Sequence, residues 1–180
     1  MLKVAIVGNI ASGKSTVEKI LLNEGYKVYD ADVVAHEILA SNKDVKREFG
    51  TVDRKKLAQI VFSNPEKLKL LESIIHPLVK NEILKIFETQ EKIIFISVPQ
   101  LFEAGFESLF DKIIYITAEK AIRLERLMRR NHLTQNEAQV RIDAQKDMNK
   151  ESKSDFVIYN NKTFEDLEKE LKEILSILIR

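Results

Sequence analysis

The apolar run Leu2-Lys-Val-Ala-Ile-Val7 passes directly into Gly8-Asn-Ile-Ala-Ser-Gly13-Lys14-Ser15-Thr16. No other stretch of the chain restricts its fold as tightly. The second segment has the spacing G-x-x-x-x-G-K-[ST], and the first reads as a buried strand. A strand delivering a glycine-rich turn into a helix start wraps backbone N–H groups around phosphate oxygens. Gly8 and Gly13 allow the amides to turn inward, and the helix adds its unbonded N–H groups and positive dipole end. In such a loop Lys14 bridges the β- and γ-phosphates, and the Ser15 hydroxyl ligates Mg²⁺. The expected ligand is a nucleoside triphosphate.

The loop demands a parallel sheet around it, and the remaining sequence supplies one. Further short β-branched or aromatic runs lie at residues 27–29, 93–98, 113–116 and 156–159. Several are apolar almost throughout, as strands buried on both faces are. Helical periodicity fills the gaps, so the fold class is α/β, a doubly wound five-stranded parallel sheet of the P-loop NTPase type. Two helical regions exceed what simple crossovers need, residues 33–88 and 119–149. Within the first, Asn64-Pro65 opens a helix and His76-Pro77 is expected to split the apolar periodicity that follows. Within the second, Thr134-Gln-Asn-Glu137 has the form of a capping box. Residues 163–180 are expected to form an amphipathic helix with Phe164, Leu167, Leu171, Ile174, Leu175 and Leu178 on one stripe. The expected organisation is one domain over 1–180, with a core at 1–32, 89–118 and 150–180. A helical acceptor-binding region at 33–88 and a lid at 119–149 complete it.

Composition narrows the partners. Lys+Arg is 29 against Asp+Glu 28 in 180 residues, a net charge of +1, which speaks against duplex nucleic acid as a ligand. With no cysteine there is no disulfide and no thiolate-bound metal. No apolar run approaches a membrane span, and the N-terminal residues do not read as a signal peptide, so a cytoplasmic location is expected.

The use of the triphosphate follows partly by elimination. Asn149-Lys-Glu-Ser and Asn161-Lys-Thr-Phe both lack the aspartate of a guanine-reading N/T-K-x-D. The strand at 93–98 runs into Pro99 with no carboxylate before Glu103, unlike motor and transporter ATPases. A small kinase remains. Asp30-Ala-Asp32 follows the second strand, and in an open α/β sheet ligands gather at the carboxyl ends of strands. If the segment is extended, both carboxylates share a face, and either could orient a hydroxyl for phosphoryl transfer. Asp32 reads equally as the cap of a helix starting at Val33. Arg123, Arg126 and Arg130 share one face of a helix, with Arg141 on the next. They fit either a lid that closes on phosphate charge or an ordinary solvated face.

Six ordered blocks follow the loop: Asp30-Ala-Asp-Val-Val-Ala-His36; Asp53-Arg54 with Leu57, leading to Val61-Phe62; Ile75-His76-Pro77; Val98-Pro99 with Leu101-Phe102-Glu103; Arg123-Leu124-Glu125-Arg126 with Leu133-Thr134, Glu137-Ala138, Arg141-Ile142 and Gln145; and Asp155-Phe-Val-Ile with Asn160. In this order they resemble the dephospho-CoA kinase family. The resemblance implies ATP-dependent phosphorylation of the ribose 3′-hydroxyl of dephospho-CoA, giving CoA and ADP. It implies Asp32 as base and Ala11, Ser12, Gly13, Lys14, Ser15 and Thr16 as the ATP-phosphate loop. Arg123 and Arg141 would act from the lid, and Asn160 would lie where the chain passes the adenine. His76 and Glu103 would sit beside the acceptor, although His76 alone also reads as a core or helix-breaking histidine. The chain departs from the family at Asn9 and Ala11, where glycines are usual, at Gln100 and Lys162, and in a shortened segment between Gly50 and Asp53. Alanine adopts left-handed backbone angles poorly, so the loop path is expected to differ at Ala11. A nucleoside monophosphate kinase and a non-catalytic nucleotide-binding regulator are the alternatives.

Overall fold

The computed structural model describes residues 1–62, 64–145 and 148–179. Ser63, Lys146, Asp147 and Arg180, which fall in the expected acceptor-binding, lid and tail segments, lie outside the described residues.

Five strands, β1 (Leu2–Gly8), β2 (Lys27–Asp30), β3 (Ile93–Ser97), β4 (Lys112–Thr117) and β5 (Phe156–Tyr159), form an all-parallel sheet in the order β2-β3-β1-β4-β5. β1 lies at its centre, with Val4 opposite Phe95 of β3 on one side and Lys112 of β4 on the other. Parallel pairing points every strand's carboxyl end to one edge, the edge where β1 releases the glycine-rich loop. Two compact units result: Met1–Tyr29 with Glu91–Arg180, and Asp30–Gln90.

In the first unit, Val4, Ile6, Phe95, Ile114, Ile116 and Ile158 meet α1 (Lys14–Asn23) and α8 (Phe164–Leu178) in one core. Helix α8 contributes Leu167, Leu171, Ile174 and Leu175 of the expected stripe, with Leu178 partly buried, whereas Phe164, at the first position of the helix, is exposed. The intervening strand residues Ala5, Val7, Ile94, Ile96, Ile113 and Tyr115 are buried too, so the sheet is covered on both faces. Each buried Ile or Val adds about 1.5–3 kcal/mol over an exposed one. The pair α6 (Lys120–Asn131) and α7 (Gln135–Asp143) has its own small core of Leu127, Ala138 and Ile142. Lys120 and Asp143 join these helices at 2.7 Å, and Thr134 and Glu137 close the capping box at α7.

In the second unit, α2 (Ala31–Ser41), α3 (Lys43–Phe49) and α4 (Arg54–Phe62) pack on α5 (Pro65–Ile86). Asn64 caps α5 by accepting from the amides of Glu66 and Lys67, with Pro65 in its first turn.

Two expectations are corrected. Helix α5 runs through Pro77 without a break. The missing N–H costs one ladder bond, but Ile75, Val79 and Ile83, at i, i+4 and i+8, bury a face that continues across the proline. Packing on both sides of Pro77 outweighs the local penalty. Asp30 and Asp32 are not neighbours on an extended segment either. Asp30, with φ −117° and ψ 114°, is the cap, and its carboxylate accepts from the Asp32 N–H at 2.8 Å. Asp32 therefore lies inside the first turn of α2 and does not cap it.

Candidate active site

The loop is built from close approaches that exclude side chains at its glycines. A Cβ on Gly8 would lie 2.8 Å from Ser12 Oγ and 3.1 Å from the Ile116 carbonyl oxygen. Gly13 sits at φ 101° as the residue before α1, and a Cβ there would lie 2.1 Å from Asn160 Nδ2. The Asn160 side chain explains that crowding. It is buried, and its Nδ2 donates to the Ser12 carbonyl at 2.8 Å while its backbone N–H donates to Thr117 O. Asn160 thus ties the loop to the carboxyl ends of β4 and β5. Ser12 is fully buried, and its Oγ has no hydrogen-bond partner among the described residues.

Ala11 takes φ 60°, so the loop makes a left-handed turn despite the side chain. That conformation costs an L-residue about 1–2 kcal/mol. The Ala11 methyl recovers part of it by packing, with Ile10, on the Leu127, Ala138 and Ile142 cluster of α6 and α7. The Ile10 N–H also donates to Gln145 Oε1 at 2.7 Å. The arginine-bearing helices are therefore fastened to the loop by apolar contact, and the segment just after α7 by a hydrogen bond to the Gln145 side chain.

Lys14 opens α1, and its Nζ donates to Glu18 Oε1 at 2.6 Å and to the hydroxyl of Ser97. Ser97 ends β3 and is fully buried. Ser15 and Thr16 follow in the first turn of α1, with Ser15 exposed and Thr16 half-buried. Among the described residues no group of three or more acidic, His or Cys side chains could hold a metal by itself. A single hydroxyl, to be completed by phosphate oxygens and water, suits Mg²⁺, which keeps several waters and few protein ligands.

The arginines of α6 and α7 differ in their engagement. Arg123 Nε donates to the Ala118 carbonyl at 3.0 Å, just beyond β4. Arg126 Nη1 is buried with no partner among the described residues. Arg141 is exposed on α7. Glu137, one turn before it, titrates below the ordinary glutamate range, chiefly because the Thr134 hydroxyl and amide donate to its carboxylate, with the Arg141 charge adding to this. Asn161 Oδ1 accepts from the Glu119 N–H at 2.8 Å, joining the loop after β5 to the start of α6.

Three expected site residues remain, Asp32, His76 and Glu103. Asp32 is exposed in α2 and His76 half-buried in α5, both in the second unit. That unit brings two of the sequence blocks together, since His36 Nδ1 lies 3.1 Å from Arg54 Nη1. They line a cavity of about 810 Å³ with Leu39, Ala40, Val52, Asp53 and Lys55. Glu103, in the loop after β3, is ion-paired to Lys150 at 2.9 Å, with side-chain exposures of 25% and 2%. The sequence reading missed Glu18, Ser97 and Lys150. Glu18 could have been found four residues after Lys14, and Ser97 as the polar end of an apolar strand; nothing local marks Lys150 as buried.

Similarity to known proteins fits this architecture. A profile of the dephospho-CoA kinase family matches residues 2–166. The chain is 39% identical to the dephospho-CoA kinase of Listeria innocua, over 98% of this chain and 96% of the relative. It is 34% identical to that of Helicobacter pylori strain 26695, over 98% and 97%. The solved dephospho-CoA kinase of Campylobacter jejuni superposes with a TM-score of 0.75 at 33% identity, covering 98% of this chain and 96% of that one. A shikimate kinase from Bacteroides thetaiotaomicron, at 13% identity and a TM-score of 0.63, shares the fold alone. Built on a phosphate-binding loop and matched over nearly its whole length, the chain belongs to the dephospho-CoA kinase family.

Proposed function

We propose that this protein transfers the γ-phosphoryl group of ATP to the ribose 3′-hydroxyl of dephospho-CoA, releasing CoA and ADP as the last step of coenzyme A synthesis. The observation that carries the reading is the loop between β1 and α1, with Lys14 at the helix start and Asn160 beneath it, in a chain of this family.

The chain's own residues divide the work. Amides of the Gly8–Thr16 loop and the Lys14 ammonium hold the β- and γ-phosphates, and Ser15 is the protein ligand for Mg²⁺. Held there, Mg²⁺ would supply charge neutralisation. Asp32 orients the 3′-hydroxyl and accepts its proton as the oxygen attacks the γ-phosphorus and the bond to ADP breaks. Arg123 and Arg141 bring positive charge to the transferring group from the lid at 119–149, and Asn160 passes the adenine. The region at 33–88 takes the acceptor, with His76 and Glu103 beside it. Among the described residues no helix is long and apolar enough to cross a membrane; the cytoplasm is the proposed location and small molecules, not nucleic acid, the proposed ligands.

An acceptor panel with Mg·ATP tests the reading, using dephospho-CoA, AMP, CMP, adenosine and no acceptor, with the product's phosphate position assigned by NMR. ADP should form only with dephospho-CoA, and Asp32→Asn should cut kcat by at least about a hundredfold while ATP still binds. Turnover with AMP but not dephospho-CoA would overturn the proposal, and unchanged kcat in Asp32→Asn would remove Asp32 as the base.

A further inference from the structure

The lysine on which the loop depends is already engaged. Lys14 Nζ lies 2.6 Å from Glu18 Oε1 and donates to the Ser97 hydroxyl as well, and the Lys14 and Glu18 side chains are only 19% and 17% exposed. The two residues are the first and fifth of α1, one turn apart on the same side of the helix. Helix electrostatics does not account for the pairing, because an acid preceding its base is the favoured order and here the base comes first. What the pair has is shelter: at this exposure it is poorly screened by salt, and the buried Ser97 hydroxyl fixes the ammonium at its other side.

A triphosphate needs the same ammonium. Lysine has three N–H donors, Glu18 and Ser97 take two, and bridging two phosphate groups requires at least two. One existing bond must therefore be surrendered when nucleotide enters. Both bonds have an ionised donor, and the one to Glu18 is the stronger because its acceptor carries the opposite charge; it is also the one that an incoming polyanion opposes, since carboxylate and phosphates repel.

We infer that Glu18 is a positioning residue for Lys14 that competes with the nucleotide: it holds the ammonium while the loop is empty and weakens ATP and ADP binding by recapturing it. The apparent dissociation constant is the intrinsic one divided by the fraction of molecules in which Lys14 is released from Glu18. Such recapture also favours departure of ADP after transfer. The inference rests on Lys14 being the phosphate-binding lysine, and it does not depend on the acceptor.

Isothermal titration of ATP and ADP into the full chain, with and without Mg²⁺, tests it on Glu18→Gln and Glu18→Ala, each also in a Lys14→Ala background. Both single variants should bind both nucleotides about tenfold more tightly at low ionic strength. In the Lys14→Ala background the same changes should alter affinity by less than about twofold. Unchanged or weaker binding in Glu18→Gln would overturn the inference. So would a full gain without Lys14, because the carboxylate would then be repelling phosphate directly. A protein that binds ATP normally but does not phosphorylate dephospho-CoA would defeat the proposed function alone, with the competition still measurable. Failure of the unaltered protein to bind ATP would overturn the loop reading and this inference together.

Discussion

Placing a methyl group at Gly13 incurs two penalties that can be separated. The first is conformational: at φ 101° an L-residue is strained by about 1–2 kcal/mol wherever its side chain goes. The second is steric, since the new Cβ would lie 2.1 Å from Asn160 Nδ2, and Asn160 is buried with little room to retreat. Its amide must leave the Ser12 carbonyl, and a buried acceptor that loses its donor costs about 1–3 kcal/mol. Gly13→Ala should therefore destabilise by about 2–5 kcal/mol. Asn160→Ala forfeits the same hydrogen bond and should cost about 1–3 kcal/mol. In the double variant the clash is gone and the hydrogen bond is lost only once, so the effects overlap. The coupling in a double-mutant cycle should be favourable by about 1–3 kcal/mol. Urea unfolding followed by far-UV circular dichroism is the assay, because the chain has no tryptophan. Additivity within about 0.5 kcal/mol would refute the idea that Asn160 is what forbids a side chain at Gly13.

Two further predictions concern stability. Glu103→Ala leaves the Lys150 ammonium buried without its counter-charge and should cost about 3 kcal/mol, whereas Glu103→Leu combined with Lys150→Met should be close to neutral. Equal losses in urea unfolding would show that the pair is not the reason for the cost. The Asp166 carboxylate titrates below the ordinary aspartate range because it accepts from the Thr163 hydroxyl and amide, and Glu137 is lowered in the same way at Thr134. Depressed values mean that their contribution is complete above the unfolded-state pKa values and is lost as pH falls through the folded ones. The Asp166→Asn, Glu137→Gln variant should therefore start with a lower Tm at pH 7 and lose less of it below about pH 4 than the parent. Parallel Tm curves from pH 7 to pH 2.5 would contradict the assignment.

The parts legible in the sequence are those that local chemistry decides. Strands buried on both faces leave unbroken apolar runs, so all five were visible to within one or two residues at each end. Asn64 and Thr134 marked helix starts because a cap acts over only three residues. Pro77 misled because a local cost of about 3 kcal/mol was set against nothing, whereas in the fold it opposes the burial of Ile75, Val79 and Ile83. The aspartates misled because β2 ends at Asp30 and α2 begins immediately, so two residues expected on one extended face became a cap and a first-turn residue. In the site, the phosphate-binding loop was readable because backbone amides do most of its work. The surroundings of Lys14 were not, since Ser97 is 83 residues distant in the chain. Lys150 stayed hidden for the same reason, as its burial is made by a partner 47 residues away.

The order of strands in the sheet also governs the order in which the protein can be made. β1 precedes the other strands in the chain, yet its partners β3 and β4 begin only at Ile93 and Lys112. At typical rates of synthesis an apolar strand with both edges open waits roughly 5–20 s for its first neighbour. During that wait Asp30–Gln90, a continuous segment rich in local helical contacts, can fold behind it. The central strand is thus the first made and among the last secured. A nascent chain stalled between Gln90 and Ile93 would present Val4–Val7 as an unpaired edge, the kind of surface that holding chaperones and aggregates both recognise.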